Sequence, residues 1–494
     1  MPHRVYGHNY LVSAYFVQVS VGHSTKGFKE KSGVRLHHRL ISPFFKDEYL
    51  LSATPLKLVM TAGPHVNSAP YTISLPQRND EGSFAFQIPS LETLSLEFSV
   101  YPNFGTKTIG RAVALPSMFV NIQNNQFFTL PILDNRLHVI GEVDFEINIV
   151  TPFKDVTLEV GGDLETYWKS TAVAVGQPTT MAPPRSSRRP NHIGSVQASP
   201  VYTASNGGGQ TLTISSLQGN YIYIVLQVTK DLRPVVFFDW LLPGVDFDLG
   251  VADVTLAQYE RLAESLGRNL PHVTEKDTSM DWASALPYAM LSLERLLKIL
   301  PPDVNVTFDL AYPSEATSRS LKLHKSDLNS VVDSVLQTIF DVSGLLEPLV
   351  IRRKIAFTSF SPDVCSALNW KQPNYPVFFG CICGKGSTNL PCPTSLGSGK
   401  EEKRVLSVGA AVEFAKANNL LGLFVDAKLL IEVPSLVDGI RSAELLIGVY
   451  GVADKRINHG TGLLSEGDNS AVTVDAFIVD GAVSFIDNSM RELA

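Results

Sequence analysis

The chain has 494 residues, 44% hydrophobic and 18% charged, with Lys plus Arg at 41 against Asp plus Glu at 48 and a formal charge of −7. At roughly 100–200 residues per domain, this length predicts two to four domains and a sizeable core. The composition is too apolar for a disordered chain and too interrupted by polar residues for a polytopic membrane protein. The acidic balance offers no net field for nucleic acid or anionic lipid, and there is no run of about 18 apolar residues to predict a spanning helix.

Near the start, Tyr15, Val17, Val19 and Val21 alternate with Gln18 and Ser20. This is strand patterning, not the continuous apolar core of a signal peptide, so the expected location is cytoplasmic, nuclear or both. Short alternating stretches recur at Phe16–Val21, Leu56–Met60, Tyr71–Leu75, Ser83–Ile88, Leu94–Val100, Gly110–Leu115 and Ile140–Val150, punctuated by Pro89, Pro102-Asn103 and Asn124-Asn125. They predict an all-β sandwich over residues 1–165. Asp80, Asp134 and Asp144 are scattered along it, not clustered as a calcium-binding loop tip requires.

Residues 176–209 are rich in Pro, Gly, Ser and Arg, including Arg185, Arg188, Arg189 and Gly207-Gly208-Gly209. Such a stretch cannot bury enough apolar area to offset its chain entropy and reads as a disordered loop, with the arginines as a solvated run or a docking signal. From Tyr221 onward, strands alternate with capped helices. The expected strands are Tyr221–Val228, Pro234–Phe238, Val304–Leu310, Lys354–Phe360, Tyr375–Phe379, Leu420–Val425, Leu445–Tyr450 and Ala476–Val479. The expected helices are Leu286–Leu300, Asp327–Phe340 behind a Ser326 cap, one opening at Ser361-Pro362, and Val408–Ala417 behind Ser407. This alternation predicts an α/β (β/α)8 barrel over residues 166–490.

The obvious chemical motifs fail on spacing. Gly380-Cys381-Ile382-Cys383-Gly384-Lys385-Gly386-Ser387 has a glycine where a phosphate-cradling loop needs Ser or Thr, and Gly397-Ser398-Gly399-Lys400 is followed by Glu401. Cys365, Cys381, Cys383 and Cys392 form no disulfide framework, and Cys381-Ile382-Cys383 with Cys392 lacks the second pair of a tetrahedral metal site.

The stretch from Gln227 to Asp239, QVTKDLRPVVFFD, resembles the second-strand motif of glycerophosphodiester phosphodiesterases, E-x-D-V-Q-L-T-K-D-x-x-P-V-V-x-H-D. The resemblance continues through Asn305–Pro313 (N-I-E-I-K-Y-P in the family), Ala356–Cys365, Lys371–Val377, Phe414–Gly422 and Tyr450-Gly451. It implies the same barrel fold. Tyr6–Leu11 and Thr166–Thr171 look like the fungal branch, which places SPX and ankyrin regions ahead of these domains. Neither is expected here, whether lost from a short paralogue or cut by a truncated gene model.

The family's activity requires a divalent cation, Mg or Ca, and an acid–base pair, supplied by H-R-G after strand one, E-x-D on strand two, H-D beyond it and E-x-K on strand three. Here the E-x-D positions hold Tyr223 and Val225, the histidine position Phe238, and the E-x-K positions Asp309 and Ala311. After Tyr167-Trp168-Lys169 there is no His-Arg pair, and Gly209-Gln210-Thr211-Leu212 replaces G-E-N-T. The resemblance therefore implies a catalytically degenerate barrel, closest to a cyclin-dependent-kinase inhibitor of the fungal phosphate system. A regulatory role with a protein partner such as a cyclin–kinase complex follows, with no cofactor, nucleic acid or membrane span.

The alternative is an active metal-dependent hydrolase of glycerophosphodiesters. A rebuilt metal site would have to draw on Asp246, Asp248 and Asp309, with His192, His272, His324, His459, Asp426 and Asp480 as remaining candidates. A third reading, an anion sensor at the mouth, would need Lys230, Arg233 or Lys354.

Overall fold

The structure is a computed structural model that describes residues 4–5, 8–22, 33–37, 55–63, 69–76, 84–119, 122, 126–153, 217, 219–244, 247–269, 278–345, 353–384, 391, 393, 403–451, 457–458, 462–464 and 471–486. The 176–209 loop, Ala172–Gln177 and Gly209–Leu212 lie outside these residues.

Among the described residues, nine strands build the N-terminal sandwich: eight in the sheet order 71–75, 56–63, 95–102, 110–114, 126–133, 139–150, 15–21, 84–88, and Val34–Leu36 paired beside 139–150. The Gly110–Ala114 and Gln126–Leu133 strands share one register pair, Leu133 with Arg111, and there the sheet folds over into two layers. Alternation decides which side chains go inside: Leu58, Met60, Phe98 and Val100 from one layer meet Val17, Val19, Phe145 and Ile147 from the other. Phe98 and Phe145 lie 4.9 Å apart between ring centroids. The expected strands are present, with Val34–Leu36 and Gln126–Leu133 as additions, the latter disguised by Asn124-Asn125 and the internal Pro131.

The C-terminal half is a closed ring of eight strands: Gly219–Val228, Asn305–Leu310, Ile355–Ser359, Val377–Gly380, Gly422–Asp426, Leu446–Tyr450, Ala476–Val479 and Ala482–Phe485. The first seven are parallel. The eighth is antiparallel to both neighbours and closes the ring against Gly219–Val228. The (β/α)8 expectation is thus met in the closed ring and its parallel strands, with one stave reversed. The reversal has a local cause: only Asp480 and Gly481 separate the last two strands, at φ +48° and +75°. A two-residue turn with both residues left-handed can only return the chain antiparallel.

Two further expectations are corrected. Pro234–Phe238 is not a stave. Pro234–Val236 folds back antiparallel on Val228–Leu226, outside the ring. The turn from Thr229 to Arg233, tied by the Arg233 N–H to Thr229 Oγ1 at 3.0 Å and turned at Leu232 (φ +57°), leaves no length for a crossover. Leu286–Leu300 is not one helix: a 3-10 turn (Leu286–Tyr288) and a short bridge (Leu291–Ser292) precede the helix Leu293–Ile299. The Leu328–Leu345 helix is opened by the Asp327 carboxylate, which accepts from Ser330 N–H at 2.9 Å, and not by Ser326.

The two halves pack together. Phe16 stacks on Trp370 at 4.3 Å, and Leu11 N–H donates to the Trp370 carbonyl at 2.7 Å. Asn329 on the Leu328–Leu345 helix accepts from Thr151 N–H and donates to the Ile149 carbonyl at 2.9 Å. Lys371, at 0% side-chain exposure, donates to Asp333 at 2.8 Å and to Thr151 Oγ1 at 3.1 Å. These contacts place one end of the long Val139–Val150 strand on the barrel's outer helices.

Candidate functional site

Inside the ring, residues of period two face the axis. Gly219–Val228 sends in Tyr221, Tyr223 and Val225, and its register pairs Tyr223 with Thr307 and Val225 with Asp309. The next strand pairs Asp309 with Thr358. The Tyr223 hydroxyl donates to Asp309 Oδ2 at 2.6 Å, with the two residues 2% and 1% exposed. Two buried hydroxyls, Thr307 Oγ1 and Thr358 Oγ1, have no hydrogen-bond partner among the described residues. On the Pro362–Lys371 helix, burial first and the Asp309 charge second push the Cys365 thiol well above its ordinary range. Cys365 Sγ contacts the Ser359 carbonyl at 3.3 Å.

Toward the C-terminal ends of the strands, aromatic rings fill the axis. Phe360 and Tyr450 meet edge to face at 5.8 Å. Gly380 makes this possible, since a Cβ there would meet the Phe360 ring at 2.7 Å. Gly448 likewise leaves room for Phe424, whose ring occupies the place of its missing Cβ. Phe238 is half-buried and packs against the interior. A cavity of about 470 Å³ opens above these rings, lined by Tyr223, Phe238, Tyr450, Ile478 and Asp480 among others.

The remaining candidates do not gather. Asp248 is exposed, Asp246 lies outside the described residues, and Asp309 is sealed in the interior. Among the described residues, no group of three or more His, Cys, Asp or Glu side chains is positioned to hold a metal ion. His192, His272 and His459 also lie outside the described residues. His324 is exposed, lining a separate small cavity of about 30 Å³ with Gln227, Trp240 and Tyr312. Asp426 caps the Ala427–Glu432 helix by accepting from Lys428 N–H at 2.9 Å, and Asp480 forms the closing turn. Lys230 and Arg233 stand exposed on the Thr229–Arg233 turn, and Lys354 precedes its strand at the end away from the mouth. None of these three is among the described residues that line the large cavity. Of the phosphate-loop-like stretch, Gly380–Gly384 is described: Cys381 is buried, and Cys383 adopts a left-handed backbone at φ +58°. Cys392 lies outside the described residues.

Pairing across strands is what residue patterns did not reveal. In the sequence Tyr223 only stands where the family pattern has a carboxylate, while the structure makes it the hydrogen-bond donor to Asp309. No helix among the described residues is long and apolar enough to cross a membrane.

Comparison with known proteins agrees with this architecture. Residues 12–154 match the GDE1-like C2 domain. Residues 220–484 match the glycerophosphoryl diester phosphodiesterase family. The chain is 29% identical over 483 residues to "Ankyrin repeat protein nuc-2" of Neurospora crassa, covering 91% of this chain and 41% of that protein. It is 24% identical to "Phosphate system positive regulatory protein PHO81" of Saccharomyces cerevisiae, covering 90% and 38%. It is 26% identical to "Glycerophosphocholine phosphodiesterase GDE1" of Eremothecium gossypii, covering 78% and 32%. The chain thus spans about two fifths or less of the length of these curated relatives. With more than half of its residues inside the matched region, the chain belongs to the glycerophosphoryl diester phosphodiesterase family.

Proposed function

We propose that this barrel is a catalytically degenerate member of its family that acts as a regulator in phosphate-responsive signalling. It would do so through protein contacts, with a cyclin–kinase complex as the expected partner, in the cytoplasm or nucleus. The observation that carries the reading is the Tyr223–Asp309 hydrogen bond at 2.6 Å. A divalent cation needs several oxygen ligands around one point. The inward position paired with Asp309 is Val225, and the next inward position on its own strand is Ala311. One carboxylate, already accepting from a phenol and accompanied by neutral threonine hydroxyls but no second carboxylate, does not fit such an ion, and no step is derived through one. The described lining of the large cavity points the same way: it presents Asp480 and no lysine, arginine or histidine to an anionic phosphodiester. The similarity to two proteins named for regulation or for ankyrin repeats supports the signalling role.

The second reading, an active hydrolase with Mg or Ca, rests on the similarity to a glycerophosphocholine phosphodiesterase. One assay separates the two. The purified chain is incubated with glycerophosphocholine and Mg²⁺ or Ca²⁺, beside a Phe238→His variant. The regulatory reading expects no turnover above the protein-free rate; turnover in the unmodified chain abolished by chelator would overturn it. Binding to a purified cyclin–kinase complex, with and without residues 176–209, tests the partner. Unchanged binding after the deletion would discard that loop as the docking segment.

A further inference from the structure

The large cavity at the barrel mouth is one-sided in its hydrogen bonding. Among the described residues that line it, the side chains with polar atoms are Tyr223, Tyr450 and Asp480; Phe238, Pro287, Pro391, Ile478 and Val479 are hydrocarbon. Each tyrosine has one hydrogen to give, and each gives it to a group outside the lining. Tyr223 donates to Asp309 at 2.6 Å, and Tyr450 donates to the Cys381 carbonyl at 2.8 Å. A phenol oxygen whose hydrogen is spent keeps only acceptor capacity, and a carboxylate only accepts. The described lining therefore holds side-chain acceptors and no side-chain donor. Arg268 does not change this, because it is outside the lining and donates to the Tyr288 carbonyl at 2.6 Å and the Pro287 carbonyl at 3.5 Å. Rigid parts hold the carboxylate in place. Asp480 sits at φ +48° in the closing turn, and the Gly481 carbonyl beside it accepts from Tyr223 N–H at 2.8 Å.

We propose that the barrel mouth is a binding site for a primary ammonium or guanidinium group, presented by a free amine or by a lysine or arginine side chain of a protein partner.

Three properties of the lining select this chemistry. The first is charge: Asp480 attracts a cation and repels an anion. The second is hydrogen bonding. An anion or a neutral carbonyl brings only acceptors to a wall of acceptors, whereas every N–H of an ammonium or guanidinium group is a donor. A quaternary ammonium has the charge but no N–H, so it meets only part of the demand. The third is the hydrocarbon. Proline and aromatic walls suit an alkyl stem, and aromatic rings attract the cation at its end. The volume of about 470 Å³ lies within the roughly 300–1,000 Å³ of ligand pockets. The inference rests on the reading of the barrel as a site without a divalent ion, since such an ion would repel the same ligand.

Ligand-observed NMR titration of the folded full-length chain tests the proposal with matched probes: n-butylammonium, 1-butanol, butyrate and tetramethylammonium. Butylammonium should bind saturably and more tightly than the other three. No binding of butylammonium, equal binding of butanol, or a preference for butyrate or tetramethylammonium overturns the proposal without need of any variant. Asp480→Asn removes the charge and keeps the turn, because Asn-Gly suits it as well as Asp-Gly. It should weaken butylammonium by about tenfold with the melting temperature unaltered. Unchanged affinity in that variant overturns the assignment to the mouth. N-acetyl-lysine methylamide separates the sources: binding as tight as butylammonium assigns the site to a protein side chain, and its exclusion assigns a free amine. Turnover of glycerophosphocholine with Mg²⁺ or Ca²⁺ would sink the degenerate reading, whereas failure of butylammonium to bind without such turnover sinks this inference alone.

Discussion

The Tyr223 hydroxyl and the Asp309 carboxylate meet at 2.6 Å where both are nearly sealed from water. Removing a buried donor to such a group typically costs about 1.5–3 kcal/mol, because the acceptor stays desolvated with less compensation. Tyr223→Phe should therefore lower the urea midpoint by a corresponding amount with the slope unchanged; an unchanged midpoint would show that this bond does not hold the interior. The identities of Tyr223, Val225, Phe238, Asp309 and Ala311 were legible in the sequence because they fall at spaced motif positions. Their partnership was not. Period two tells which residues of one strand share a face, but register between strands 86 residues apart is set by packing of the whole ring. That the hydroxyls of Thr307 and Thr358 find no partner among the described residues was hidden for the same reason.

At the scale of elements, the closing hairpin decides the topology. Gly481 sits at φ +75°, and a Cβ there would meet the Ala283 carbonyl oxygen at 2.7 Å. Its carbonyl also accepts from Tyr223 N–H at 2.8 Å, tying the turn to the strand that carries the interior hydrogen bond. An L-residue pays about 1–2 kcal/mol in that left-handed region before any clash is counted. Gly481→Ala should cost at least that much in chemical denaturation; a neutral effect would mean that the turn relaxes without strain. Asp-Gly between two apolar runs is the strongest short hairpin signal a sequence offers. It was available here, and reading Ala476–Val479 as the final parallel strand masked it. The Thr229–Arg233 turn misled in the opposite direction: the apolar stretch after it has the composition of a buried strand, and only the tight turn makes it an antiparallel flap.

For the whole molecule, the junction between halves is the feature on which cooperativity depends. Lys371 is fully buried between Asp333 and Thr151, beside the Phe16–Trp370 stack. Truncating one member of a buried ion pair costs about 3–5 kcal/mol. Lys371→Ala should separate a single calorimetric transition into two, one for each half; one transition at an unaltered temperature would mean the halves are coupled elsewhere. Two-part organisation was visible in the sequence as a change from alternating to strand–helix patterning, but nothing in either half announced that Lys371 would be swallowed at their contact. A different consequence follows from how the ring closes. Gly219 and Phe485 face each other as register partners on adjacent strands, so the wall begins and ends at one spot. Those ends could be spliced by a brief linker and the circle cut at another loop. A circular permutant of the barrel would keep every stave in place, because its architecture does not depend on where the polypeptide starts.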